Sequence, residues 1–164
     1  METRTKSDNI QPLLQLAQPE KKIKNTEIAF SLSPQTITDT YEPGTATLEK
    51  KLHAIQKLLS VGYRIGLRFL PLLPIQNHLQ IYEELIISVK KLIDTDKISS
   101  IGIAPLIYNK ADYSTIQNTS SLPFLQDLHE HPDGMMRMDK SYYHDFKQLF
   151  DAHFPQHRIF FDYQ

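Results

Sequence analysis

The stretch IAFSLSPQTITDTYEPGTATLEKKL, Ile28 to Leu52, decides how the chain is read. An apolar run with alternating small residues ends in Ser31-Leu32-Ser33-Pro34, which reads as a strand running into a turn. An acidic loop follows, with Gly44 near its end. Thr47 then stands before a helical stripe of Leu48, Leu52, Ile55, Leu58 and Leu59, with Glu49 in the first turn and Gly62 as the stop. Strand, loop and helix in this order form one unit of a parallel α/β fold.

The unit repeats outward. Strand-like runs occur at Glu27–Leu32, Arg64–Leu70 and Ser99–Ala104, and a terminal one at Arg158–Asp162. Helical stripes lie between them: Leu79, Tyr82, Leu85, Ile86, Val89 and Leu92, and later Tyr142, Phe146, Leu149 and Phe150. A weaker helix is expected from Ile10 to Ala17, before Pro19. Right-handed crossovers between such strands give a parallel sheet or barrel.

Side chains alternate along a strand, so Ile28/Phe30, Ile65/Leu67/Phe69 and Ile101/Ile103 share one face. The other face carries Ala29/Ser31, Gly66/Arg68/Leu70 and Ser100/Gly102/Ala104. Bulky groups pack against helices, while the small and polar face lines a lumen. A filled barrel interior would carry Val, Ile and Leu there. The expectation is an α/β fold, a partial parallel (β/α) barrel, formed as a single domain by residues 1–164.

Composition sets the outer limits. A chain of 164 residues with 40% apolar residues is long enough for a real core. The net charge of -1 gives no basic excess for non-specific nucleic-acid binding. No apolar run would span a bilayer, and METRTKSDNIQ lacks a signal peptide's apolar segment, so a cytoplasmic location without membrane contact is expected. There is no cysteine, which excludes disulfides, thiol nucleophiles and Cys-ligated metal within this sequence.

Several segments resemble the spore photoproduct lyase family of radical S-adenosylmethionine enzymes. Thr5-Lys6-Ser7-x-Asn9-Ile10 is similar to its T-K-S-x-N-V. Ile28-Ala29-Phe30-Ser31-Leu32-Ser33-Pro34 is similar to V-A-W-S-I/L-N-P. Tyr41 to Leu52 resembles E-H-x-T-x-S-L-E-E-R-L, and Gly62 to Pro71 resembles G-Y-x-V-G-F-H-F-D-P. Tyr82 to Ile86, Ser100 to Gly102 and Asp133 to Arg137 resemble Y-x-E-L-I, S-L-G and D-G-K-x-R. These occur in family order over most of the chain.

The resemblance implies a partial barrel of parallel strands and a 4Fe–4S cluster held by a C-x3-C-x2-C loop. It also implies reductive cleavage of S-adenosylmethionine to a radical that reverses a thymine lesion in DNA. The cluster loop and the family's cysteine hydrogen donor have no counterpart in the sequence. The expectation is therefore the C-terminal half of such an enzyme, inactive alone, with the cluster supplied by another chain. The alternative is a non-catalytic remnant or small interaction module.

Within the resemblance, Lys6 and Ser31 correspond to residues binding the amino-acid end of S-adenosylmethionine. Arg68 and Arg137 correspond to positions near the substrate, with damaged DNA as the implied partner. Glu42 and Thr45 mark the loop motif: Glu42 could hydrogen-bond ligand hydroxyls and Thr45 could cap, with an exposed loop before an ordinary helix start as the alternative. Arg68 and Leu70 depart from the family's His and Asp. His129, His131, His153 and His157 lack the spacing of a metal site.

Overall fold

A computed structural model describes residues 2–17, 26–157 and 159–161. Its strands in chain order are β1 (Glu2–Thr5), β2 (Glu27–Leu32), β3 (Arg64–Leu72), β4 (Ser100–Pro105), β5 (Ile107–Asn109), β6 (Leu128–Glu130), β7 (Met135–Met138) and β8 (Ile159–Phe161). The helices are α1 (Gln11–Leu16), α2 (Gln35–Tyr41), α3 (Leu48–Ser60), α4 (His78–Leu92), α5 (Lys110–Thr119) and α6 (Lys140–His153). Arg158 and Asp162, the expected ends of the last strand, and Pro19 lie outside the described residues.

The main sheet has the order β1-β2-β3-β4-β8 with every neighbouring pair parallel. Helices cross over between its strands, so the arrangement is a partial (β/α) barrel. Alternation along the strands decides what lies on each face. Ile28, Phe30, Leu32, Ile65, Leu67, Phe69, Ile101 and Ile103 are all buried beneath the helices. Their burial, at roughly 1.5–3 kcal/mol per large apolar side chain, is the main stabilising term of the domain.

Helix α3 shows how local signals set an element. Thr47 is its N-cap, the hydroxyl accepting from the Lys50 amide at 3.4 Å, and Val61 closes it before Gly62 at φ +84°. Leu52, Ile55 and Leu58 face the sheet and are buried. The cap is Thr47, not Thr45, whose hydroxyl instead donates to the Glu42 carbonyl at 3.0 Å. Helix α4 starts after Asn77, which sits at φ 57°, a conformation asparagine tolerates better than most residues.

Several features were not anticipated, helix α5 among them. The segment read as an acidic loop contains α2, which buries Ile37 and Thr38. Beyond β4 the chain builds a separate antiparallel sheet, β5-β7-β6.

Candidate functional site

The C-terminal ends of β1 and β2 bring together residues that are distant in sequence. Thr5 is in register with Phe30, so the next residues along the two strands are Lys6 and Ser31. Ser31 is 4% exposed on the lumen face, and among the described residues its hydroxyl makes no hydrogen bond. Glu42, at the end of α2, returns over these strands. Its Oε1 accepts from Lys6 Nζ at 2.7 Å and from the Ser33 hydroxyl at 3.5 Å.

The charge of a second lysine acts on this cluster. Lys51 on α3 is only 1% exposed. Burial pushes its pKa below the ordinary lysine value, the Glu42 charge pulls it back up, and Lys6 opposes that. Glu42 Oε2 is buried and has no hydrogen bond among the described residues. Two ammonium groups around one carboxylate leave a net positive site with a free serine hydroxyl beside it. Such a site favours a ligand carboxylate, because the attraction acts where water is partly excluded.

Lys51 was missed in the sequence, although a signal was present. It lies three residues after Leu48 and four before Ile55, inside the apolar stripe of α3. A charge in that stripe requires a buried partner.

Lower on the lumen face, a cleft of about 470 Å³ is lined by Glu2, Glu27, Arg68, Leu70, Ser100 and Phe160, among others. Arg68, 7% exposed, lies flat across the sheet. Its guanidinium donates to Glu2, to Glu27 at 2.7 Å, and to the carbonyls of Leu67 at 3.0 Å and Ser100 at 3.4 Å. Ser100 also donates to Glu27 at 2.6 Å. The hydrogen bond from Arg68 holds the Glu2 carboxyl below the usual glutamate range, against the opposing effect of burial.

Gly66 is what makes room for this network. A Cβ there would stand 2.6 Å from Glu27 Oε1 and 2.9 Å from Arg68 Nη1. Arg68 therefore faces the lumen, as the alternation requires, but its contacts with Glu2, Glu27 and Ser100 tie β3 to three other strands. Leu70 and Ala104 make the upper part of the same face apolar or small.

Arg137 belongs to the other sheet, in register with Ile107 and His129. It is buried and ion-paired with Asp133, across the turn that Gly134 closes at φ +77°. The Met135 amide bond and the Arg137 charge both keep the Asp133 carboxyl low, the former first. The histidines are spread out: His129 meets Asp139 at 3.5 Å, His153 meets Glu83 at 3.2 Å, and His157 meets the Thr95 carbonyl at 3.0 Å. Among the described residues no group of three or more His, Cys, Asp or Glu could hold a metal ion. No helix among them is long and apolar enough to cross a membrane.

The family model described as "Spore photoproduct lyase" matches residues 2–118. Solved structures with the same arrangement include a cysteine-to-serine mutant of spore photoproduct lyase, with a TM-score of 0.78 at 18% identity, covering 98% of this chain and 51% of that one. Spore photoproduct lyase complexed with dinucleoside spore photoproduct gives 0.78 at 17% identity, with the same coverage. A double mutant with bound AdoMet and dinucleoside spore photoproduct gives 0.74 at 16%, covering 99% of this chain and 50% of that one. The chain thus spans about half the length of the structures it resembles, and at these identities they speak for the fold. No curated protein sequence matches it. Since the family model covers well over half of the chain, this protein belongs to the spore photoproduct lyase family.

Proposed function

We propose that this chain supplies the part of a radical S-adenosylmethionine barrel that holds the cofactor's amino-acid tail and borders the substrate. The observation carrying this reading is the meeting of Lys6, Ser31 and Glu42 at the C-terminal ends of adjacent parallel strands, where ligands bind in barrels of this kind. The Lys6 ammonium and the free Ser31 hydroxyl suit a carboxylate, and Lys51 offsets the charge of Glu42 when Lys6 turns to the ligand.

A 4Fe–4S cluster does not fit these residues. The chain has no cysteine, and the described residues offer no alternative ligand group. Its ligands have to come from residues outside this sequence, in a segment or chain carrying the C-x3-C-x2-C loop, so no iron-dependent step is assigned to this chain. Arg68 and Arg137 are proposed to border a damaged-DNA substrate, Arg68 from the lumen floor and Arg137 from the β6–β7 hairpin. Because Asp133 holds Arg137, phosphate binding there requires exchange of that partner.

The test combines the purified chain with a cluster-loaded chain bearing the cysteine motif and measures 5′-deoxyadenosine formed from S-adenosylmethionine under reducing conditions. Formation that needs both chains and falls by about tenfold or more with Lys6→Met supports the reading. A mixture that leaves S-adenosylmethionine intact contradicts it and favours a non-catalytic module.

A further inference from the structure

A second and larger cavity, about 710 Å³, lies across α2 from the Lys6–Glu42 cluster. Thr36, Ile37, Thr40 and Tyr41 of α2 line one side of it, and the loop after β3 with the start of α4 lines the other. Both α2 and that loop follow the C-terminal ends of strands, the side of a parallel sheet where ligands collect. The volume is in the range of small-molecule sites.

The walls define the chemistry. Tyr41 and Phe124 meet edge to face at 5.2 Å, and His78 and Tyr142 lie 5.0 Å apart. Among the described lining residues Asp127 is the one carboxylate, and none is a lysine or arginine. The site therefore offers aromatic faces and acceptors and repels anions.

His78 supplies the sharpest feature. Its Nδ1 lies 3.2 Å from the Ile75 carbonyl, which can only accept, so Nδ1 carries the hydrogen and Nε2 presents a lone pair. Burial lowers the pKa of this ring, outweighing the Ile75 bond and the Asp145 charge that raise it. The imidazole is thus neutral near pH 7. Nε2 is buried and has no hydrogen bond among the described residues. A buried acceptor left unmade costs about 1–3 kcal/mol. Tyr142 and Phe146 flank the ring, at 5.0 and 5.1 Å between centroids. Tyr142, which also lines the cavity, sits in the first turn of α6 and is only partly buried; a ligand reaches the buried Nε2 only if this ring turns aside.

We propose that this cavity binds an uncharged aromatic heterocycle bearing an N–H donor, with His78 Nε2 accepting that hydrogen and Tyr41, Phe124 and Tyr142 contacting the ring. The site is separate from the cofactor-tail site proposed above and does not depend on it. Selection against anions comes from Asp127, and selection for the donor from His78.

The test uses the full chain and three probes that differ in one property each: indole, 1-methylindole and indole-3-carboxylate. Binding is followed by heteronuclear NMR, with the His78 Cε1–H resonance as the local reporter. Indole is expected to saturate and to bind about fivefold or more tighter than 1-methylindole, the value of one net hydrogen bond. It should shift the His78 resonance while 1-methylindole leaves it in place.

His78→Phe keeps a ring between Tyr142 and Phe146 but removes the acceptor, so the two indoles should bind it equally. Indole-3-carboxylate should bind weakly to the unmutated chain and gain about threefold or more in Asp127→Asn. The proposal is overturned by indole failing to saturate at its solubility limit, by equal affinity for the two indoles, or by their difference surviving in His78→Phe. An unchanged carboxylate affinity in Asp127→Asn overturns the assigned charge selection. If His78→Phe does not fold, the His78 shift in the unmutated chain decides the matter: equal shifts from both indoles reject the acceptor role.

Discussion

Lys51 is the residue that the fold tolerates least easily by itself. An ammonium at 1% exposure needs a counter-charge; Lys51 makes no ion pair among the described residues, and the charge that favours its ammonium form is that of Glu42, itself paired with Lys6. Removing the carboxylate leaves two cations facing each other, one of them buried. Glu42→Gln is therefore expected to destabilise the chain by about 3 kcal/mol in urea unfolding. Adding Lys51→Met should recover most of that loss, because the buried charge and its requirement vanish together. A double variant no more stable than Glu42→Gln would show that Lys51 does not depend on Glu42. Neither role was legible from a motif. Glu42 read as an exposed loop acid because α2, rich in threonine, has weak helix propensity and no side-chain cap. Tertiary burial of Ile37 and Thr38 makes that helix.

At the scale of elements, Arg68 fastens the edge strand. Strand β1 has exposed residues along most of its length, and among the described residues its hydrogen-bonded neighbour is β2 alone. Arg68 reaches from β3 past β2 to Glu2, adding a tether that also sets where Lys6 arrives. Arg68→Met should cost about 3 kcal/mol, since it leaves Glu27 without a cation and Glu2 with only the exposed Arg4.

The pH dependence has a definite sign. Arg68 keeps the folded-state Glu2 carboxyl below its usual value of 4.5, so its stabilising contribution is complete above that value and is lost as pH falls through the depressed one. Chemical unfolding below about pH 4.5 should show stability falling with acid in the unmutated chain and falling less steeply in Arg68→Met. Equal slopes would mean that the Arg68–Glu2 pair contributes nothing to folding. The inward direction of Arg68 was legible from alternation. Its engagement by Glu2 and Glu27 was not, because parallel-strand register cannot be read from one strand.

For the whole molecule, the sequence revealed the parallel strands and the two faces. Apolar residues at alternate positions recur in three strands; α3 has a regular stripe with a clear start and stop, and α4 and α6 each have a stripe. What escaped was short or built by contact. The β5-β7-β6 sheet has strands of three or four residues, too few to show a period. The cavity beside His78 is assembled from α2, the loop after β3, the segment near Phe124 and the start of α6, which no local pattern joins. The proposed cofactor-tail site lies between these cases. Lys6 and Ser31 stood out by family resemblance, and they are the residues that follow the Thr5–Phe30 pair on the two chains.

The central claim is that Lys6 and Ser31 form a site for the amino-acid tail of S-adenosylmethionine. Its most direct test is equilibrium binding of S-adenosylmethionine, by calorimetry, to the unmutated chain, Lys6→Met and Ser31→Ala, each with the cluster-bearing chain present. The account predicts about tenfold or greater weakening in Lys6→Met and a smaller loss, about threefold, in Ser31→Ala. Unchanged affinity in Lys6→Met, or no binding by the unmutated pair, would contradict it.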